Sequence, residues 1–439
     1  MKLDDQPPAA PATVLSAGGH RVALIGDHGS PLAAPGNTDC GGQNVYVAHL
    51  ARELALAGHV VDVFTRRDAV RQKQLVCWRE NLRVINVPAG PAHYVPREQM
   101  LPHIPSFCRF ATRFARHQPA PYDIVHANFF MSGMVAQHLK QTLGLPFVIT
   151  FHALGRVRRL AQGTADAFPP ARARIEADLM RQADRIIAQS PQDRRDMEHL
   201  YGASSERIAM APCGFDPDEL WPMPRDEART ALALAPGRFT VLQLGRMVPR
   251  KGVDTVIEAV ALLRGVHGVD AELLVVGGEA QPGGRDGDEL ARLRALARTL
   301  GIASRVRFAG RQPRTALRLY YGAADVFVTT PWYEPFGITP VEAMACARPV
   351  IGADVGGIKS TVVDGITGFL VPARDPHALA AHLARLQRAP ALARTMGEAG
   401  LRRACRHYTW RTVARQIAGI HAAVLAEAGE RATIDLTQS

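Results

Sequence analysis

A chain of 439 residues exceeds the size at which one hydrophobic core stops growing, so two domains are expected. The 47% hydrophobic and 21% charged content is that of a soluble globular protein, and no run of about eighteen apolar residues could span a membrane. The net charge of +11 comes without an aromatic-interleaved basic stretch or a helix-turn-helix pattern, which ranks phosphate-bearing small molecules ahead of an anionic membrane surface and excludes nucleic acid as the first choice of partner.

Residues 1–17 combine Asp4, Asp5 and several prolines without an apolar core, and read as a flexible tail, not a targeting segment. From 18 to 215, short apolar runs alternate with helical stretches, the pattern of a parallel sheet covered by helices. Strands are expected at 22–25, 60–64, 83–87, 123–126, 147–150 and 185–188. Val47, Leu50, Leu54 and Ala57 recur at three- and four-residue spacing, predicting a helix over 43–57 that Gly58 ends. Pro217, Pro222, Pro224 and Pro236-Gly237 mark 216–238 as a connection between domains. A second α/β unit, 239–409, follows with strands at 240–245, 272–276, 306–308, 326–328, 350–351 and 369–371. Helices rich in Ala, Leu and Arg run on from about 377, with an interruption near Tyr408. The fold class is α/β, two similar halves with a cleft between them. The six cysteines are scattered with no C-x-x-C pair, which argues against disulfides and a thiol zinc site and sets a cytoplasmic expectation.

Four places carry residue types suited to chemistry. Gly41-Gly42 opens the first helix, where absent Cβ atoms allow close backbone approach and the amides attract an anion; plain turn geometry is the alternative. His152 follows a strand at its carboxyl end, where ligands sit in open α/β sheets, although a lone histidine is more often structural. Arg246 and Lys251 flank Pro249 between a strand and a helix, suiting a diphosphate at about 1.5–3 kcal/mol per charge-assisted bond; a solvated basic loop is the alternative.

The most informative place is Glu334-Pro335-Phe336-Gly337-Ile338-Thr339-Pro340-Val341-Glu342. Pro335 pushes Glu334 into extended backbone, Gly337 permits a tight turn, and Thr339-Pro340 reads as a helix N-cap and first helical residue. Amides at a helix start attract phosphate, and the flanking carboxylates can accept from sugar hydroxyls. The competing reading is a Thr339–Glu342 capping box that serves the helix alone. Asp216-Pro217-Asp218 and Asp286-Gly287-Asp288 read as surface loops, so neither a metal nor any other cofactor is expected.

The whole string, with the preceding Ala324 to Tyr333, resembles the E-x7-E signature of family-4 retaining glycosyltransferases, in particular the sucrose-phosphate synthase-like branch. The resemblance runs from roughly 21 to 420 and implies a GT-B fold, two Rossmann-like domains facing each other across a deep cleft. It implies that Glu334 sits at the donor sugar, that Glu342 holds the ribose hydroxyls, and that Gly337, Ile338 and Thr339 line the donor. Residues 41–47 with 58–66 resemble the family's glycine loop, so Gly41 and Gly42 would face the donor phosphates. Arg246 and Lys251 would hold the diphosphate, and 150–155 resembles the strand-end segment that places a histidine, here His152, against the donor sugar. A helix at 410–427 would cross back to the first domain before a flexible tail at 428–439.

The implied reaction moves a hexose, most simply from UDP-glucose, to an acceptor hydroxyl with retention by front-face displacement, without a metal. Arginines at 156, 158 and 159 and the pair 194–195 suit a phosphorylated acceptor, with Arg156 and Arg194 the residues expected to hold it. Lipid-linked and polysaccharide acceptors stay open, as does peripheral membrane association. Asp39-Cys40 before the glycine loop departs from the sucrose-phosphate synthase pattern. A sugar-nucleotide 2-epimerase, which would have no acceptor, is the alternative enzyme on this architecture.

Overall fold

A computed structural model describes residues 18–32, 41–278 and 285–438; the expected tail at 1–17 and the Asp39-Cys40 pair lie outside them. The chain divides into two compact units, one formed by Met1–Gln189, Arg194–Ala211 and Trp410–Ser439, the other by Ser190–Asp193 and Pro212–Thr409.

The first unit holds an eight-stranded sheet. Its strands are β1 (Arg21–Ile25), β2 (Val60–Arg66), β3 (Leu75–Arg79), β4 (Leu82–Val87), β5 (Ile124–Asn128), β6 (Phe147–Thr150), β7 (Arg185–Ala188) and β8 (Ile208–Met210), in spatial order β3-β4-β2-β1-β5-β6-β7-β8. All pairings are parallel except β3 with β4, a hairpin turned at Glu80-Asn81 with Asn81 at φ 55°. β1, β2, β4 and β5 are buried along their whole length, as strands covered by helices on both faces must be.

The second unit holds six parallel strands: β9 (Phe239–Leu244), β10 (Ala271–Val276), β11 (Val306–Gly310), β12 (Val326–Thr329), β13 (Val350–Ala353) and β14 (Gly368–Val371). Their order is β11-β10-β9-β12-β13-β14. Counted from its own first strand this is 3-2-1-4-5-6, the doubly wound dinucleotide-binding order. In such sheets ligands bind beyond the carboxyl ends of the strands where the order reverses. Those ends are β1 and β5 in the first unit, β9 and β12 in the second.

Two of the observed strands, β3 and β8, were not expected from the sequence. β3 is half-exposed on the sheet edge, so its periodicity is weak, and β8 has three residues. The passage 216–238 carries a helix, Arg225–Ala231, whose buried Arg229 bonds Asp325 and the carbonyls of Ala323 and Pro236 within the second unit. The last helix runs from Trp410 to Gln438, past the end expected at 427 and through Gly429. Its Trp410 is fully buried in the first unit, edge-on to Tyr46 and stacked on His49.

Candidate functional site

In the first unit the residues beyond β5 and β6 are tied into one constellation. His152, two residues beyond the end of β6, has left-handed backbone, φ 59°, a conformation that costs a non-glycine residue energy and is common where geometry serves function. Its Nε2 lies 2.9 Å from Asn128 Oδ1 and its Nδ1 lies 3.3 Å from Gln189 Nε2. Asn128 Nδ2 in turn donates to the Ile25 carbonyl, which fixes its oxygen toward His152. These partners assign the neutral tautomer, with Nε2 donating and Nδ1 accepting. Burial, then the nearby His28, lowers the His152 pKa to about 3, so the ring stays neutral at physiological pH.

The glycine loop joins this group. Gly41 is the N-cap of the helix Gly42–Leu56, and no side chain caps it. A Cβ at Gly41 would meet nothing within 4 Å, and its φ is −121°, so neither packing nor backbone strain within the fold demands glycine there. From the same helix, Gln43 donates to the Asn128 carbonyl and Tyr46 packs edge-on against His152 at 4.8 Å.

A second cluster adjoins His152. Arg172, 2% exposed, donates from Nε to Glu176 at 2.7 Å and from Nη2 to the Ala153 carbonyl, while its buried Nη1 has no partner. Its guanidinium lies 4.5, 4.8 and 5.0 Å from the ring centroids of Phe168, Phe129 and Phe130. Arg158, paired with Asp166 at 2.8 Å, and Arg97 lie over the same Phe168 ring at 5.1 and 5.9 Å. Of these three, Arg158 is among the arginines singled out from the sequence and Arg97 and Arg172 are not; their signal is the aromatic run Phe129-Phe130 with Phe168 near basic residues. Arg156 and Arg194, expected at the acceptor, are occupied locally: Arg156 donates to the Leu200 carbonyl and packs on Tyr201, and Arg194 pairs with Glu198 at 2.9 Å.

In the second unit the basic loop after β9 and the acidic loop after β12 are pinned together. Gly252 is left-handed at φ 65°, and a Cβ there would fall 2.0 Å from the Thr330 carbonyl, so only glycine lets the two backbones meet. Thr330 Oγ1 donates to the Gly252 carbonyl at 2.7 Å and the Trp332 amide to Arg250 at 2.8 Å. This brings the Lys251 ammonium into an ion pair with Glu334, both side chains less than one-fifth exposed. Burial pushes the Glu334 carboxyl up, but Lys251, Arg250 and Arg246 together outweigh it, so its pKa is lowered. Burial, with Arg250 and Arg246 nearby, lowers the Lys251 pKa despite Glu334. Lys251, Arg250 and Arg246 thus gather around Glu334, a concentration of cationic groups that suits an anion. Gly356-Gly357, which the sequence reading did not single out, presses on this loop: a Cβ at Gly356 would lie 1.8 Å from the Glu334 carbonyl.

The helix start differs from the expected one. The helix is Ile338–Ala345, its N-cap is Gly337 at φ 91°, and no side chain caps it; Thr339 and Pro340 lie inside the first turn. No capping box forms. Glu342, 2% exposed, instead accepts from Arg314 Nη1 and from the Tyr321 hydroxyl, each at 2.9 Å. Of the two Asp-x-Asp stretches expected as surface loops, 216–218 enters a turn with Asp218 exposed but Asp216 buried, and 286–288 lies in the first turn of the helix Arg285–Thr299.

The profile described as "Glycosyltransferase Family 4" matches residues 40–219, and that described as "Glycosyl transferases group 1" matches 224–403. A D-inositol 3-phosphate glycosyltransferase of Acidothermus cellulolyticus is 37% identical over 94% of this chain and 92% of its own length. This chain is a family-4 glycosyltransferase. The glycosyltransferase is also similar to the solved sucrose-phosphate synthase of Thermosynechococcus elongatus, with TM-score 0.86 and 33% identity over 93% of this chain and 100% of the other. Anabaena HepE, at TM-score 0.72 and 22% identity, covering 92% of this chain and 99% of its own, shares the fold. The GT-B class therefore holds, and the chain is an enzyme that transfers sugar. Among the described residues of the glycosyltransferase, no helix is long and apolar enough to cross a membrane.

Proposed function

We propose that this glycosyltransferase moves a hexose from a nucleoside-diphospho-sugar, UDP-glucose in the simplest case, to a hydroxyl of a phosphorylated polyol or sugar, with retention and without a metal. The observation that carries the donor half is the Lys251–Glu334 pair inside a cluster that also contains Arg250 and Arg246. A diphosphate is the anion that these cations suit, and stabilising it as it departs is the main electrostatic task of the reaction. Glu334 holds the sugar, Glu342 the ribose hydroxyls, and the amides of Gly337, Ile338 and Thr339 line the donor. His152, held neutral, contacts the donor sugar, with the start of the helix at Gly41-Gly42 beside it.

The acceptor half rests on Arg97, Arg158 and Arg172 around Phe168, with a buried guanidinium donor on Arg172 that the protein leaves unmatched. Buried donors without partners are costly, and a phosphate oxygen would relieve this one. The relatives named for inositol 3-phosphate and the sucrose-phosphate synthase neighbour support the same choice. Arg172→Lys keeps the charge beside Glu176 but loses the guanidinium fork. It should raise the acceptor KM about tenfold or more and leave the donor KM unchanged.

Mass spectrometry of products from a matrix of nucleotide-hexoses against phosphorylated and unphosphorylated polyols tests the whole reading. The expected result is a phosphorylated glycoside and no glycoside from unphosphorylated acceptors. Transfer only to lipid-linked or polysaccharide acceptors, or donor isomerisation with no acceptor, would sink it.

A further inference from the structure

We infer that Arg314 and Tyr321 are positioning residues that hold Glu342 in a single rotamer as a receptor for the vicinal hydroxyls of the donor's ribose. The inference rests on the role proposed above for Glu342 and adds the machinery that would make that role possible.

The three side chains come from two helices on either side of β12 in the chain. Arg314 opens the helix Arg314–Ala323, Tyr321 lies two turns further along it, and Glu342 sits in the helix Ile338–Ala345. Arg314 is shared between two carboxylates: Nη1 donates to Glu342 Oε1 at 2.9 Å and Nε to Glu219, while Nη2 is buried with no partner. Tyr321, itself fully buried, donates its hydroxyl to Glu342 Oε2 at 2.9 Å.

This division matters chemically. A carboxylate offers about four lone-pair directions over two oxygens. Arg314 takes one on Oε1 and Tyr321 takes one on Oε2, so each oxygen keeps one free for a further donor. Two adjacent acceptors side by side match two hydroxyls on neighbouring carbons. Arg314 and Tyr321, one on each oxygen, fix the plane of the carboxylate and so the direction of that acceptor pair. A glutamate that only stabilised its helix would have turned to the backbone amides of its own first turn, and it has not.

The test separates this role from a purely structural one through the 2′-hydroxyl. Calorimetry measures the binding of UDP, ADP and GDP and of their 2′-deoxy counterparts to the wild-type chain, Arg314→Gln, Tyr321→Phe and Glu342→Ala. Thermal unfolding is followed for each, and Tyr321→Phe, which deletes one oxygen, serves should Arg314→Gln not fold. The wild type should prefer the ribose form of its best-bound diphosphate by roughly 10- to 100-fold, the worth of a hydrogen bond to a charged group. In Arg314→Gln and Tyr321→Phe that ratio should shrink several-fold while the deoxy form binds nearly as before. If Glu342→Ala abolishes the ratio but Arg314→Gln and Tyr321→Phe keep it, the positioning role is wrong and the reading of Glu342 survives. Equal loss for ribose and deoxyribose forms in these two variants also overturns it, since that is the mark of a structural triad. A wild type indifferent to the 2′-hydroxyl removes the assignment of Glu342, and this inference with it.

Discussion

Lys251→Met should lower kcat/KM about 10- to 100-fold, the loss expected when one charge-assisted contact worth about 1.5–3 kcal/mol disappears from the transition state. The pairing with Glu334 sharpens this expectation. Lys251 stands between a carboxylate of the same protein and, on the proposed reading, the leaving diphosphate. Removing it takes a cation from the diphosphate and also releases Glu334 from its nearest partner. Arg250 and Arg246 remain, so Glu334 stays beside positive charge. Nucleoside diphosphate binding should therefore weaken with transfer, while the acceptor KM holds. Glu334→Gln should behave differently. It leaves the three cations and removes the opposing charge, so diphosphate binding should hold or tighten while transfer slows. Steady-state kinetics with product inhibition by the diphosphate distinguishes the two variants. Wild-type transfer by Lys251→Met would show that the cationic cluster is not the diphosphate site.

Which features were legible in the sequence follows from how local their causes are. Parallel strands buried on both faces leave continuous apolar runs, and the strands at 60–66, 147–150 and 326–329 were plain for that reason. The acidic string was readable because Pro335 and Gly337 constrain their own neighbours. Its helix start was misread because Gly337, free to adopt positive φ, took the N-cap before Thr339 could. The fate of Glu342 could not be read locally at all: Arg314, 28 residues upstream, won its carboxylate. Arg172 and Arg97 escaped for a similar cause, since one comes from a helix and the other from a short 3-10 turn far away in the chain. By contrast, Gly356-Gly357 carried a visible signal, a glycine pair just after a strand, and that signal could have been used.

Acid should destabilise the first unit as pH falls below about 6.5, the usual range of a free histidine. His126 on β5 and His421 on the last helix are both completely buried, with His421 Nε2 3.3 Å from His126 Nδ1 and His126 Nε2 3.0 Å from Thr150 Oγ1. Burial, then the nearby His152, lowers the His126 pKa to about 3; burial, then His126, His59 and His20, lowers that of His421 well below its usual value. Both rings are therefore neutral in the folded chain and take up protons near pH 6.5 once unfolded. With the folded pKa below the unfolded one, full stability is present above about pH 6.5 and is lost as pH falls toward the folded values. Each such histidine contributes a slope of about 1.4 kcal/mol per pH unit in that window. Urea unfolding at pH 7, 6 and 5, followed by a probe in the first unit, should show a steep fall. His421→Leu deletes one of the titrating groups without adding a buried charge. Its slope should be shallower than the wild type's by about one proton, and an unchanged slope would mean that this histidine pair does not titrate on unfolding.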